Sequence, residues 1–366
     1  MQRGRPAGLA WRDPGACLPQ PALVAGLCLV VGLIADAVLK HETGPPSGDG
    51  PYYARMAAHP AGPHNFPYAF RIGVPYLVHI LPFSHRFSWQ AIALLCAAAA
   101  GGGLYALLRD FDVGARLATG LAVGFSISPP LLVVLLRNGL MVDPAAICVI
   151  TLGCLFIARR RKLALAVTLL VGTTIHESCM FLVPLTYAVW AERPLDRGAL
   201  RDTTLVCIVP VALYLYIRAS ISAVGEAYQP GYTGPFLQAR LDVLRDGLER
   251  GGWRTEARRL AIDYGALWLA APLALARLRF ARRGLVLVIL CAASMTFALD
   301  WGRALFFAAP VIYVGAAYVL RDRRRLAAAA VISLLALDLG YAAYMQVHGV
   351  RSGLDTTGPP ARGPVH

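Results

Sequence analysis

The chain has 366 residues, of which 57% are hydrophobic and only 15% charged, and its mean hydropathy is +0.56. That composition excludes an ordinary soluble domain, in which about a quarter of residues carry charge. The formal charge of +14 lies in short Lys/Arg clusters between apolar stretches, the pattern of cytoplasmic loops rather than of a nucleic-acid-binding face, so no nucleic acid partner is expected.

An all-α, polytopic membrane protein is the class that remains, with about 20 apolar residues needed per crossing. Arg3, Arg5 and Arg12 precede a first run at 21–39 that is long enough to span. Ala35-Asp36-Ala37 imitates a signal-peptidase site, yet an uncleaved helix is the simpler reading because later segments need the membrane too. Further crossings are expected near 88–108, 115–136, 144–158, 162–175, 178–191, 203–219, 263–278, 284–299, 303–320 and 326–345, about eleven in all. The stretch from Arg71 to Pro82 is short and proline-bounded and reads as an interfacial or re-entrant helix. Residues 1–20 read as a cytoplasmic segment, 21–345 as a single transmembrane domain with outer loops at 40–87 and 220–262, and 346–366 as a disordered tail rich in Gly, Pro and Arg. Within the second loop Leu237, Leu241, Leu244 and Leu248 recur at helical spacing against Arg240, Asp242, Arg245, Asp246 and Arg250, which predicts an amphipathic helix on the membrane surface. Gly101-Gly102-Gly103 falls inside an apolar run, where close helix packing is its expected role.

Basic residues in short loops set the orientation. The clusters Arg159 to Lys162, Arg193 to Arg201, Arg277 to Arg283 and Arg321 to Arg325 join Arg3, Arg5 and Arg12 on one side, which is then the cytoplasm; the N-terminus is cytoplasmic and the C-terminus extracytoplasmic. This parity requires two short helices turning at Ile175-His176-Glu177-Ser178, an arrangement that also spares the bilayer centre a buried Glu. The expected location is an inner (plasma) membrane.

The opposite face collects Asp49, Tyr52, Tyr53, Arg71, Arg137, Asp143, His176, Glu177, Asp300 and Arg303 at the ends of different helices. Asp49 stands between glycines on a turn-prone loop and is placed to take a proton from an incoming hydroxyl; the bland alternative is an Asx turn on a solvated loop. Arg71, Arg137 and Arg303 lie on the face that the charge rule leaves poor in cations, where each can grip a phosphate or simply anchor to headgroups. Asp143, ahead of Pro144, can cap the helix that follows. Glu177 has an arginine-paired helix-end cap as its bland reading, and Asp300 can pair with Arg303 one turn on. Neither HExxH nor a cysteine ligand cluster is present, so no metal ligands are assigned, although a divalent cation is compatible with the acidic residues. The eight cysteines lie mostly within apolar runs and read as small buried residues.

Gly48-Asp49-Gly50 with Tyr52-Tyr53, the turn from Asn138 to Pro144, and the helix pair broken at His176-Glu177 resemble patterns in the GT-C class of integral-membrane glycosyltransferases. That resemblance implies a catalytic acid in the first extracytoplasmic loop, here Asp49, and transfer of a sugar from a polyprenyl-phosphate donor to an acceptor hydroxyl on a glycan, lipid or protein. It further implies that Arg71, Arg137 or Arg303 neutralises the departing phosphate and that Tyr52, Tyr53 and Trp301 stack on sugar faces or simply mark the interface; Asp143, His176, Glu177 and Asp300, on the same face, are the remaining candidate substrate-binding residues. No DxD doublet accompanies Asp49. A transporter or flippase of an anionic lipid or solute, a polysaccharide polymerase, and a lipid-linked acyltransferase share the layout; the last would need His176.

Overall fold

The computed structural model describes residues 20–42, 49–226, 245, 252–295 and 301–348. The chain opens with α1 (Gln20–Val38), then Asp49 stands at the start of α2 (Gly50–Ala58), whose Pro51 occupies the first turn, where a missing N–H is no loss. The connection continues through β1 (His64–Phe66), a 3-10 turn at Tyr68–Phe70 and α3 (Gly73–Ile80). There follow α4 (His85–Asp110), α5 (Ala115–Ser126), α6 (Pro129–Leu136), α7 (Asp143–Ala158), α8 (Lys162–Ile175), a 3-10 turn at Glu177–Phe181, α9 (Leu182–Trp190) and α10 (Arg197–Ser220). Then come β2 (Ala223–Glu226), α11 (Gly252–Tyr264), α12 (Leu267–Ala270), α13 (Arg279–Ser294), α14 (Trp301–Phe306), α15 (Ala309–Leu320) and α16 (Arg324–His348). β2 pairs in parallel with β1, His64 opposite Ala223, and so ties the two long connections together.

Four helices, α1, α4, α10 and α16, are long and apolar enough to cross a membrane, and α5 with α6 would make a fifth as one span bent by 43°. Large apolar side chains stay exposed along their outer faces, Leu27, Ile34, Ile208 and Ile332 among them, as lipid-facing surface requires. Eleven unbroken spans do not appear among the described residues, and the breaks have local causes. Pro129 and Pro130 end the 115–136 run after Ser126. Gly265, at φ +49°, and Pro272 divide 263–278 into α12 and a further 3-10 turn, and the 303–320 run is interrupted ahead of Pro310. The short helix expected at 71–82 is present as α3. The amphipathic segment at 237–250, apart from Arg245, the tail from 349 and the residues up to 19 lie outside the described residues.

The predicted turn at His176 is present. His176 adopts an extended backbone at φ −159°, and α9 runs back beside α7, bringing the Trp190 indole N–H to the Ile157 carbonyl (2.9 Å) and the Arg160 guanidinium to the Trp190 carbonyl (3.1 Å). The glycine run of α4 does what its composition implied. A Cβ at Gly101 would lie 2.6 Å from the Cys28 sulfur, and one at Gly102 2.8 Å from the Pro21 carbonyl, so α1 approaches α4 only because both positions lack a side chain.

The bundle has two chemically distinct ends. At one, Arg159 pairs with Asp110 (2.6 Å), Lys162 with Asp202 (2.7 Å), and Arg279 and Arg321 donate to the Ala191 and Phe111 carbonyls (2.7 and 3.2 Å). The basic clusters thus gather on one side. The other end of α7 and α8, about 21–24 Å away at 1.5 Å per residue, carries Asp143 and His176. The first described residue, Gln20, accepts from Tyr105 near the basic end, whereas Gln346 late in α16 meets the Lys40 backbone at the other.

Candidate active site

Asp49 occupies the N-terminal cap position of α2, but its side chain makes no capping bond there. It is 8% exposed, accepts a 2.7 Å hydrogen bond from the Tyr68 hydroxyl at Oδ1, and faces Arg303 Nη1 at 3.0 Å through Oδ2. A solvated Asx turn is therefore not its environment. The proline-rich loop and the 3-10 turn at Tyr68–Phe70 bring the phenol onto the carboxylate, and the Tyr68 ring is held by stacking on Tyr52 (4.6 Å) and edge contact with Tyr53 (5.2 Å).

Arg303, near the middle of α14, binds two aspartates. Its Nε lies 3.5 Å from Asp143 Oδ1, and Nη1 also approaches the Met141 sulfur at 3.9 Å. Asp143 is the first residue of α7, one step inside the helix, and its side chain is 3% exposed. Asp300, the expected partner of Arg303, lies outside the described residues.

Arg71 forms the second node. Its Nε and Nη2 grip Glu177 at 3.1 and 2.5 Å, a two-pronged pair, while Nη1 donates to the Tyr53 hydroxyl at 2.7 Å. Tyr53 has no exposed surface, so it offers no ring face to a sugar and serves instead to aim Arg71. Glu177 sits in the 3-10 turn and meets a further cation, Arg218 of α10, at 3.7 Å. Arg218 in turn lies over the Phe70 and Tyr214 rings at 4.4 and 5.0 Å. The arginine-paired reading of Glu177 thus describes its contacts. His176 accepts from the Ser178 backbone N–H (3.1 Å) and packs its ring 5.0 Å from Phe307. Arg137 closes α6 with 4% exposure, and Arg71 is 7% exposed, so neither is a headgroup anchor at a lipid surface.

These contacts set the charges. Burial pushes the Asp49 carboxyl up, but the guanidiniums of Arg303 and Arg71 and the Tyr68 hydrogen bond outweigh it and hold the group below its ordinary value. Glu177 is likewise driven well down, burial being overcome by Arg71 and His176. Burial first, then the charges of Arg71 and Arg303, lowers His176 to about 3, so it is a neutral acceptor at physiological pH. The site therefore presents anionic carboxylates, fixed guanidiniums and no basic imidazole.

Among the described residues no three His, Cys, Asp or Glu side chains are grouped to hold a divalent cation, and the two aspartates that could begin such a set already share Arg303. Three contributors were not singled out from sequence: Tyr68, although it falls between Asp49 and Arg71; Arg218, at the end of an apolar run; and Arg259 of α11. Only Tyr68 carried a signal, as the tyrosine of the segment Pro67-Tyr68-Ala69-Phe70-Arg71 that follows the Asp49 loop.

Fold and site together define a helical membrane protein with a buried charged network at one end of its bundle. In fold the chain is similar to the oligosaccharyltransferase of Archaeoglobus fulgidus, whose structure was determined as a complex with zinc and sulfate, at a TM-score of 0.56 and 15% sequence identity. The match covers 93% of this chain and 54% of that protein, so the chain spans about half its length. At such identity the likeness is one of fold alone. No protein-family profile matches the sequence, and no curated protein matches it.

Proposed function

We propose that this chain is a multi-pass inner-membrane glycosyltransferase that moves a sugar from a polyprenyl-phosphate donor to an acceptor hydroxyl on the extracytoplasmic side, with Asp49 as general base. One observation carries the reading: Asp49, Tyr68, Arg71, Glu177, Asp143 and Arg303, from five separate segments, form one connected network at the helix ends remote from the basic clusters. The charge rule assigns the basic end to the cytoplasm and hence this network to the outer face. Residues 21–345 form the transmembrane domain, and the acceptor is a glycan, lipid or protein.

In this reaction the acceptor hydroxyl gives its proton to Asp49 as its oxygen bonds to the anomeric carbon, and the bond from that carbon to the donor phosphate breaks. The phosphate leaves with the electron pair. Arg303, with 21% of its side chain exposed beside Asp49, is the cation placed to meet that charge. Arg71 and Arg137 are more deeply enclosed and hold the frame. The low basicity of Asp49 beside Arg303 means that proton transfer improves once that contact loosens.

The test is Asp49→Asn in membranes supplied with a labelled polyprenyl-phosphate sugar. Loss of transfer with the melting behaviour of the detergent-solubilised protein retained is the expected result. Transfer at the parent rate removes Asp49 as the base.

A further inference from the structure

A second carboxylate is buried away from the Asp49 network. Asp338 lies within α16, about 21 Å from the first residue of that helix and about 15 Å from its last at 1.5 Å per residue, so it stands well inside a span. It shares the buried stripe of α16 with Ala330, Leu334 and Ala342, which turns it into the bundle. There it is 1% exposed, and neither of its oxygens has a hydrogen-bond partner among the described residues. A carboxylate held so deep without a partner costs several kcal/mol, and groups of this kind in membrane bundles mark ion pathways and ion sites.

Two more oxygen-bearing groups surround it. Tyr313 of α15 has no exposed surface, and its hydroxyl also finds no partner among the described residues, although Tyr264 beside it donates to the Leu305 carbonyl at 2.9 Å. Asp263 of α11, 3% exposed, is the third, and the three lie close enough for the charge of each to act on the others. The rings of Phe125 and Tyr264, at 5.4 and 6.3 Å from that of Tyr313, help to close the group off.

Spacing and charge select the ligand. Asp338 and the Tyr313 hydroxyl influence one another electrostatically, yet neither is within hydrogen-bond reach of the other. Oxygens that share a proton must touch, whereas oxygens that ligate a common ion stand apart, each with its own bond to it. Two carboxylates here meet one nearby cation, Arg259, one turn before Asp263 on α11 and nine-tenths buried; Arg303 is already set between Asp49 and Asp143. One negative charge is left over, which a single positive charge balances. Among the described residues no third His, Cys, Asp or Glu joins the group, so it is too poor in carboxylates for a divalent ion.

We propose that Asp338, Tyr313 and Asp263 bind one alkali cation, which fixes α16 against α11 and α15 inside the bundle. Asp263 can ligate while keeping its other contacts, because a carboxylate has about four lone-pair sites. The site is separate from the Asp49 network and does not depend on the reading of Asp49 as a base.

The experiment melts the full chain in detergent at neutral pH and constant ionic strength, in sodium, potassium or choline chloride. The midpoint is expected to rise with sodium or potassium concentration and not with choline, because an ion that binds only the folded chain stabilises it by RT ln(1 + [L]/Kd). Asp338→Asn should abolish that dependence while melting no lower than the parent in choline, since the amide leaves no charge to neutralise. Tyr313→Phe should keep the dependence and raise the half-saturating concentration by about three- to tenfold. A carboxylate with a purely structural role would instead make Asp338→Asn melt lower by the same amount in all three salts. Equal parent midpoints in the three salts overturn the proposal, and so does a dependence that survives in Asp338→Asn. A parent indifferent to both alkali ions, with an infrared band of a protonated carboxyl that Asp338→Asn lacks, would identify the ligand as a proton and overturn it too. Should Asp338→Asn fail to fold, equilibrium dialysis of the parent against radioactive sodium and potassium decides: saturable uptake of one ion per chain is expected, and uptake without saturation refutes the site.

Discussion

Replacing Tyr68 by Phe removes one oxygen and almost nothing else. The ring is 2% exposed and held between Tyr52 and Tyr53, contacts that a phenylalanine repeats. What disappears is a 2.7 Å bond from a hydroxyl to an anionic carboxylate, an interaction worth about 1.5–3 kcal/mol. At about 1.4 kcal/mol per pKa unit, the Asp49 carboxyl should rise by about one to two units, with Arg303 still in place to hold it partly down. Asp49 accepts a proton only when ionised, and the acid limb of kcat/KM reports the free enzyme. The limb should therefore move to higher pH in the variant by about one to two units. The assay is the transfer rate of membranes against pH, parent and variant side by side. Stability gives a second reading with the same sign. A depressed carboxylate stabilises the fold fully above its unfolded value of about 4 and loses that contribution as pH falls through the folded value. The variant should thus melt lower than the parent at neutral pH, and the gap should close in acid. An acid limb that does not move, or that moves down, refutes the assignment of Asp49 as the titrating group bonded to Tyr68.

Three other outcomes follow from the same contacts. Glu177→Gln strips Arg71 of its two-pronged partner and should lower the stability of the solubilised protein by about 3 kcal/mol, the lower end for a broken buried pair because 30% of the Glu177 side chain is exposed; an unchanged melting temperature would show that Arg71 does not depend on it. His176→Gln can still accept from Ser178 and should keep most of the transfer rate, whereas an acyl-transfer mechanism would lose it. Because folded His176 stays neutral down to about 3 while the unfolded chain takes up a proton near 6.5, the parent should lose stability as pH falls through that window and the Gln variant should lose less, measured by melting in buffers spanning it. Gly102→Val places a side chain against the Pro21 carbonyl and Ala25 and should cost about 1–3 kcal/mol by forcing α1 from α4; a variant that melts with the parent would mean that the α1–α4 contact is not held this closely.

Composition and charge were sufficient for the membrane class, because a bilayer admits only helices of a certain length and apolarity and so writes its demand directly into the sequence. The first helix and the final one, the glycine run of α4, and the hairpin at His176 were all legible for that reason: each is a local consequence of hydropathy, missing side chains or a charge that the bilayer will not accept. The breaks at Pro129, Gly265 and Pro310 were less so, since an apolar run looks the same to hydropathy whether one helix or two pieces carry it. The site was legible as a set of residue types on one face, but not as a set of partners. Nothing local says that Arg303 reaches back across more than 250 residues to Asp49, that Tyr53 turns inward to aim Arg71 and offers no open ring, or that Arg218 and Arg259 join the charged end from α10 and α11. Those pairings depend on which helix ends meet, and a charge shows its partner only once the packing has placed both. Hydropathy and charge alone put Asp49 among other charges at one end of a membrane helix bundle, whereas its enclosure and its bonds to Tyr68 and Arg303 emerged from the packing, because enclosure and pairing are properties of the assembled helices and of no single segment.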